Sequence, residues 1–286
     1  MKVARRGGVP PFIVMDVLRE ANARAAAGER ILHLEVGQPG DPAPTAAREA
    51  AAQAAREMRL GYTDALGTPG LRTRIAKNYA EVYGCALDAE RIVAAAGSSG
   101  AFMLAFLAAF DVGDRVALAA PGYPAYRNIL TALGLETVSI PADAADGFQP
   151  TPATLDRLNP KPDGLIVASP ANPTGAMLSP SALAALADWC AAHAVRLISD
   201  EIYHGVVFPG APPQATAAAL SETAVVVNSV SKYHGMTGWR IGWAVAPPDL
   251  VRPMERLAQN LFIAPSAIGQ VAAEAAFDAR AELDAR

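Results

Sequence analysis

From Gly61 onward, short and nearly unbroken apolar runs alternate with longer stretches rich in alanine and leucine. The runs are RIVAAA, DRVALAA, LETVSI, DGLIVAS, VRLIS, AVVVNS and IGWAVA, seven candidate strands between Arg91 and Ala246. Several are apolar at almost every position, which marks strands covered on both faces. Strand and helix signals in alternation predict βαβ units and a largely parallel sheet. The pattern therefore predicts an α/β fold with a seven-stranded, mainly parallel sheet sandwiched by helices.

Upstream, Pro10 and Pro11 precede a helix in which Ile13, Val17 and Ala21 recur every fourth position and Gly28 closes the segment. The loop HLEVGQPGDPAP is too rich in glycine and proline to be helical. Helices are predicted over about Thr45–Leu60 and Leu71–Tyr83, and between Asp249 and Ala281 with a break near Pro265.

Composition narrows the class. Hydrophobic residues make up 52% and charged residues 18%, so the chain is globular, not disordered. The net charge of −4 comes with no basic tract, which argues against a nucleic-acid partner. No apolar run is long enough to span a membrane, and the basic N-terminus lacks an apolar signal core. Cys85 and Cys190 are too few for a disulfide framework or a metal cluster, and a reducing, cytoplasmic setting is the default. His33, His193, His204 and His234 have no metal-ligand spacing and read as structural or surface residues.

Ligands of open parallel sheets gather at the carboxyl ends of the strands, so the residues following each run carry the chemistry. Gly97-Ser98-Ser99-Gly100 opens a helix after the first run, an ordinary helix start or an anion site. Pro121-Gly122-Tyr123-Pro124 is a braced turn that could also present a ring for stacking. Asn172, in Pro170-Ala171-Asn172-Pro173-Thr174-Gly175, is turn chemistry or an amide aimed at a ligand oxygen. Asp200 directly ends a buried run; it is either the N-cap of a following helix or a desolvated carboxylate in need of a cationic or hydrogen-bonding partner. Lys232 lies among small and apolar residues between Ser229 and Arg240, where desolvation favours a neutral amine and Schiff-base chemistry.

Taken together, these segments resemble the class I/II aminotransferases of the fold-type I pyridoxal-phosphate (PLP) enzymes. The run Ser229–Gly242 fits the family's lysine-attachment signature, and Gly-Ser-Ser, Pro-Gly-Tyr-Pro, Asn-Pro-Thr-Gly and Asp-Glu-Ile-Tyr precede it in the family's order. The resemblance runs from about Gly37 to the end of the chain.

The resemblance implies a role for each residue. Lys232 would bond the cofactor and then shuttle the substrate proton, and Asp200 would keep the pyridine nitrogen protonated so that the ring acts as an electron sink. Tyr203 and Asn172 would hydrogen-bond the phenolic oxygen, and Tyr123 would stack on the ring. Arg240, Ser229, Gly97, Ser98 and Ser99 would hold the phosphate, with Ser231 as a further candidate. Tyr62 would reach the phosphate of the neighbouring subunit in a homodimer. Gly37 would lie near the substrate carboxylate, with Tyr123 and Asn172 also on the substrate side. Trp239 reads as packing beside Arg240.

The implied division is an N-terminal arm and helix over 1–36, a PLP-binding large domain over 37–248, and an interdomain helix over 249–286. The family continues into a small domain whose arginine grips the substrate carboxylate. The chain stops before a recognisable counterpart, and Arg280 and Arg286 lie in no matching context. The sequence thus leads one to expect the small domain to be missing, PLP capture to be better supported than efficient turnover, and apolar surface to be exposed on the interdomain helix. The expected activity is amino-group transfer from an α-amino acid to a 2-oxo acid by a ping-pong cycle. Alternatives are β-elimination on the same scaffold, a PLP-binding fragment without turnover, or a regulatory binding module, although no basic helix-turn-helix precedes Gly37.

Overall fold

A computed structural model describes residues 1–286. The strands are β1 (Ile92–Ala96), β2 (Arg115–Ala120), β3 (Glu136–Pro141), β4 (Gly164–Ala168), β5 (Arg196–Asp200), β6 (Val225–Ser229) and β7 (Ile241–Val245). They form one sheet in the order β1-β7-β6-β5-β4-β2-β3. Five neighbours, from β6 across to β3, run parallel. β7 is antiparallel to both β6 and β1. The connection explains this: between β6 and β7 lies only a loop with one 3-10 turn, Thr237–Trp239, and a parallel pairing would need a crossover helix. One consequence is that β7 begins at the edge where the other strands end.

Alternation along each strand divides the core between the two faces. Ile92, Leu165, Leu197, Val226 and Trp243 belong to one apolar layer. Val93, Ile166, Ile198, Val227 and Ala244 belong to the other. The first layer is closed by α2 (Thr45–Glu57), α3 (Pro69–Tyr83), α7 (Pro180–Ala192) and α9 (Ala267–Ala276), and the second by α4 (Gly97–Ala109), α5 (Pro124–Leu133) and α8 (Pro248–Leu261). Two short helices, α6 (Pro152–Asp156) and α10 (Arg280–Asp284), complete the set with α1 (Ile13–Ala26).

Local chemistry sets the helix ends. Thr68 Oγ1 accepts the Leu71 N–H at 3.4 Å, with Pro69 in the first position, and left-handed Gly84 closes α3. Gln270, fully buried on α9, accepts from the Thr68 N–H at 2.7 Å and donates to Thr63 Oγ1 at 2.9 Å. That amide fixes the loop carrying Tyr62.

The apolar stripe expected on α1 is present, yet no residue of that helix is buried, and Ile13, Met15 and Val17 are all exposed. An i, i+4 pattern reports an apolar face, not what covers it. α8 differs, with Leu250, Met254 and Ala258 buried against the second layer. No helix is long and apolar enough to cross a membrane.

Candidate active site

Six adjacent strand ends meet at one edge of the sheet. In spatial order they contribute Gly97–Ser99 after β1, Arg240 before β7, Ser229 and Lys232 from β6 and its exit, Asp200 and Tyr203 from β5, Asn172 after β4 and Tyr123 after β2. Arg240 joins the group because β7 is antiparallel. In a wholly parallel sheet its place would be at the opposite edge.

Asp200 is 5% exposed, and burial pushes its carboxyl up to about 6. No helix follows it: the chain makes a turn, and Asp200 Oδ1 accepts the Ile202 N–H at 3.1 Å. The N-cap reading is therefore wrong, and the carboxylate remains a desolvated acid. Tyr126, buried one turn into α5, donates its hydroxyl to Asp200 Oδ2. The sequence reading missed Tyr126. Its signal is the Tyr-x-x-Tyr spacing, which stacks Tyr126 on the same helix face as Tyr123. Tyr123 is braced edge-on by Tyr126 at 5.3 Å and by Phe12 of the N-terminal arm at 5.5 Å.

The Lys232 amine is half-buried, which lowers its pKa. Nζ donates to the Gly37 carbonyl at 2.6 Å and lies 5.5 Å from the centre of the Tyr203 ring. Asn172 Nδ2 donates to Tyr203 Oη at 3.4 Å. Burial raises the Tyr203 phenol, and the Asn172 bond pulls it down. The structure thus brings Lys232, Tyr203, Asn172 and Gly37 together.

α4 begins without a side-chain cap, which leaves the first N–H groups of Gly97, Ser98 and Ser99 available. The Arg240 guanidinium rests against Gly97, where a Cβ would overlap it. Gly97 has φ +72° and Arg240 φ +55°, so both hold left-handed conformations. Gly242 lets β7 approach this helix start: a Cβ there would stand 2.5 Å from Ser98 N. Ser229 is buried, and its Oγ accepts the Ser231 N–H at 3.1 Å, so Ser231 shapes the loop through its backbone. An uncapped helix start, a fixed guanidinium and buried hydroxyls suit a phosphate dianion. A buried carboxylate without a cation suits a protonated ring nitrogen, and a partly desolvated amine suits an aldehyde. The residues present fit PLP.

Other candidates lie apart. Tyr62 is 88% exposed. Arg280 pairs with Asp284 at 3.4 Å, and Arg286 donates to the Pro42 carbonyl at 2.6 Å and pairs with Glu282. Both arginines are thus tied down around α10. Trp239 packs against the first apolar layer. His204 and His234 are buried, and burial lowers their rings to about 4 and about 3. His193 bonds the Trp189 carbonyl and His33 pairs with Glu35.

Fold and site together define a pyridoxal-phosphate enzyme of fold type I. The chain belongs to the aminotransferase class I and II family, whose sequence profile matches residues 29–286. It is 51% identical over 285 residues to valine–pyruvate aminotransferase of Mycobacterium tuberculosis, covering 99% of this chain and 74% of that protein. Its fold superimposes on the crystal structure of an aminotransferase from Mycobacterium tuberculosis with a TM-score of 0.97 and 50% identity, covering 100% of this chain and 74% of that one. Aspartate aminotransferase from Thermus thermophilus with maleate matches at TM-score 0.93 and 28% identity, over 100% and 75%. The protein is a PLP-dependent aminotransferase that moves an amino group from an α-amino acid to a 2-oxo acid.

Proposed function

We propose that the six strand ends act as one cofactor cradle and that the acceptor is pyruvate, with valine as the preferred donor. PLP, when bound, supplies an electron sink for charge developing at the substrate Cα. Gly97, Ser98, Ser99, Ser229 and Arg240 bind the phosphate, with Ser231 holding the Ser229 hydroxyl in place. Asp200 holds a proton on the ring nitrogen, and Tyr123 covers the ring face. Asn172 and Tyr203 donate to the phenolic oxygen. Lys232 Nζ would hold the cofactor through its aldehyde carbon, with loss of water; once the substrate amine has taken its place there, the freed Lys232 amine would carry the α-proton from the substrate Cα to the cofactor side of the new bond. Gly37, whose carbonyl meets that amine, would lie near the substrate carboxylate.

The observation that carries the reading is the convergence of Lys232 with Asn172, Tyr203 and Asp200 at neighbouring strand mouths. The donor and acceptor rest on 51% identity to a valine–pyruvate enzyme, and an arginine–pyruvate transaminase of Pseudomonas aeruginosa is 35% identical over 245 residues. In a homodimer the exposed Tyr62 would reach the partner's phosphate site, its loop fixed by Gln270. We assign residues 1–36 to an arm and helix, 37–248 to a PLP-binding large domain and 249–286 to an interdomain segment. Two free cysteines suit a cytoplasmic setting.

The test is a cofactor spectrum followed by single-donor assays. A visible band absent from Lys232→Ala, discharged by valine and restored by pyruvate, supports the reading. A band that valine leaves untouched while another amino acid discharges it overturns the donor; no band at all overturns the cradle.

A further inference from the structure

Asn172 and Tyr203 stand on separate irregular loops, after β4 and β5, and meet only through a 3.4 Å hydrogen bond. A bond of that length is too weak to hold two loops in register. The next residue after Tyr203 points the other way. His204 is 8% exposed, and its Nδ1 lies 2.6 Å from Tyr83 Oη, with the two rings tilted 52° at 5.6 Å. Tyr83 is the last residue of α3, which is capped by left-handed Gly84.

We propose that His204, held by the Tyr83 hydroxyl, is a positioning residue that anchors the turn carrying Tyr203 and so keeps Tyr203 against Asn172 on the cofactor's phenolic oxygen. Ser169 stands at the start of the Asn172 loop, just after β4. Ser169 is itself fastened twice: its N–H donates to the Asp200 carbonyl at 3.1 Å, and its Oγ accepts the Leu178 N–H at 2.9 Å. A neutral ring with its proton on Nε2 accepts the Tyr83 hydroxyl at Nδ1. The turn around it is fixed as well. His204 N–H donates to the Glu201 carbonyl at 3.0 Å, and Gly205 N–H donates to Gln214 Oε1 at 2.8 Å. Gly205 has φ +86° and the Tyr233 ring lies against it, so the turn has no room to rotate.

The titratable groups facing the ring are Tyr83 from α3 and Glu201 from its own turn, with Glu201 Oε2 3.6 Å from Nδ1. Burial holds the ring near 4 and therefore neutral at working pH. Its part is geometric and not that of an acid or base. The proposal rests on the reading of Asn172 and Tyr203 as partners of the phenolic oxygen, which favour its ionised form and so lower the pKa of the lysine-bonded cofactor.

The test is a spectrophotometric pH titration of the full chain with PLP, together with the PLP dissociation constant. The variants are Tyr83→Phe, His204→Ala and His204→Asn, with Asn172→Ala as reference. Tyr83→Phe and His204→Ala are expected to raise the midpoint by about half a unit or more and to weaken PLP retention on the order of threefold to tenfold. His204→Asn keeps an acceptor near the Nδ1 position and should recover part of the shift. Wild-type midpoints and dissociation constants in Tyr83→Phe and His204→Ala would overturn the proposal, whatever happens to their melting temperatures. An unmoved midpoint in Asn172→Ala would instead overturn the cofactor reading beneath it. If His204→Ala fails to fold, Tyr83→Phe, which deletes one oxygen, decides alone.

Discussion

Tyr126 donates its phenolic proton to Asp200, the buried carboxylate at the centre of the sheet mouth. Burial raises Asp200, and this bond, with that from Ile202, opposes the rise. The phenol therefore decides how much of Asp200 is ionised near neutral pH. Tyr126→Phe removes the donor and leaves the ring, so Asp200 should move further up. At pH near 7 a larger share is then protonated and holds the ring nitrogen's proton less well. The expected result is a fall in kcat on the order of tenfold, a smaller change in KM, and an acidic limb of the kcat profile displaced to higher pH. An unchanged limb would leave Tyr126 a packing residue.

Gly97 and Arg240 make a second testable contact. A Cβ at position 97 meets the guanidinium, and φ +72° strains any side chain there. Gly97→Ala should displace Arg240 and spoil the helix start together. PLP affinity is expected to fall more than tenfold, while pyridoxal, which lacks the phosphate, binds almost as before. Equal losses for both ligands would mean that the damage is not confined to the phosphate site.

Much of this was legible in the sequence because buried strands write themselves as unbroken apolar runs. β1, β4, β5 and β6 were all readable in that way, and Asp200 and Lys232 stood out as charges where such runs end. The direction of β7 was hidden, since an apolar run has no arrow, although the short link from β6 carried the clue. Nothing in the sequence marks Tyr126 beyond its spacing from Tyr123, and helical spacing is the same for a residue that packs and one that donates a bond. His204 looked structural or exposed for a similar reason: its partner Tyr83 lies far away in the chain. On α1 the opposite happened, where the stripe of Ile13 and Val17 promised burial that the fold does not supply.

The Lys232 amine has a pKa lowered by desolvation. Only the neutral amine attacks an aldehyde, so a lower pKa makes more of it available at a given pH. The rate at which the apoprotein captures PLP should therefore rise with pH and level off below the range of an ordinary lysine. Stopped-flow absorbance across about pH 6 to 10 measures it. A rate still climbing at the upper end would place the amine in an unperturbed environment.

Four buried groups oppose one another in the pH dependence of stability. Burial raises Asp200 to about 6 and Glu201 to about 7, and lowers His204 to about 4 and His234 to about 3. A raised acid contributes stability in full below its unfolded pKa near ~4 and loses it as pH rises through the folded value. A depressed histidine has the opposite sign, because the unfolded ring gains its proton near ~6.5 and stability is lost as pH falls below that. Between about pH 5 and 6, two native carboxyl protons offset two unfolded imidazole protons, so apoprotein stability should be nearly flat. Glu201→Gln removes one native proton from that balance. The unfolded state then binds one proton more than the native state, and stability should rise with pH by about 1.4 kcal/mol per unit. Urea unfolding at several pH values within the window checks both slopes. A wild-type slope equal to that of Glu201→Gln would show that Glu201 is already ionised in the folded chain.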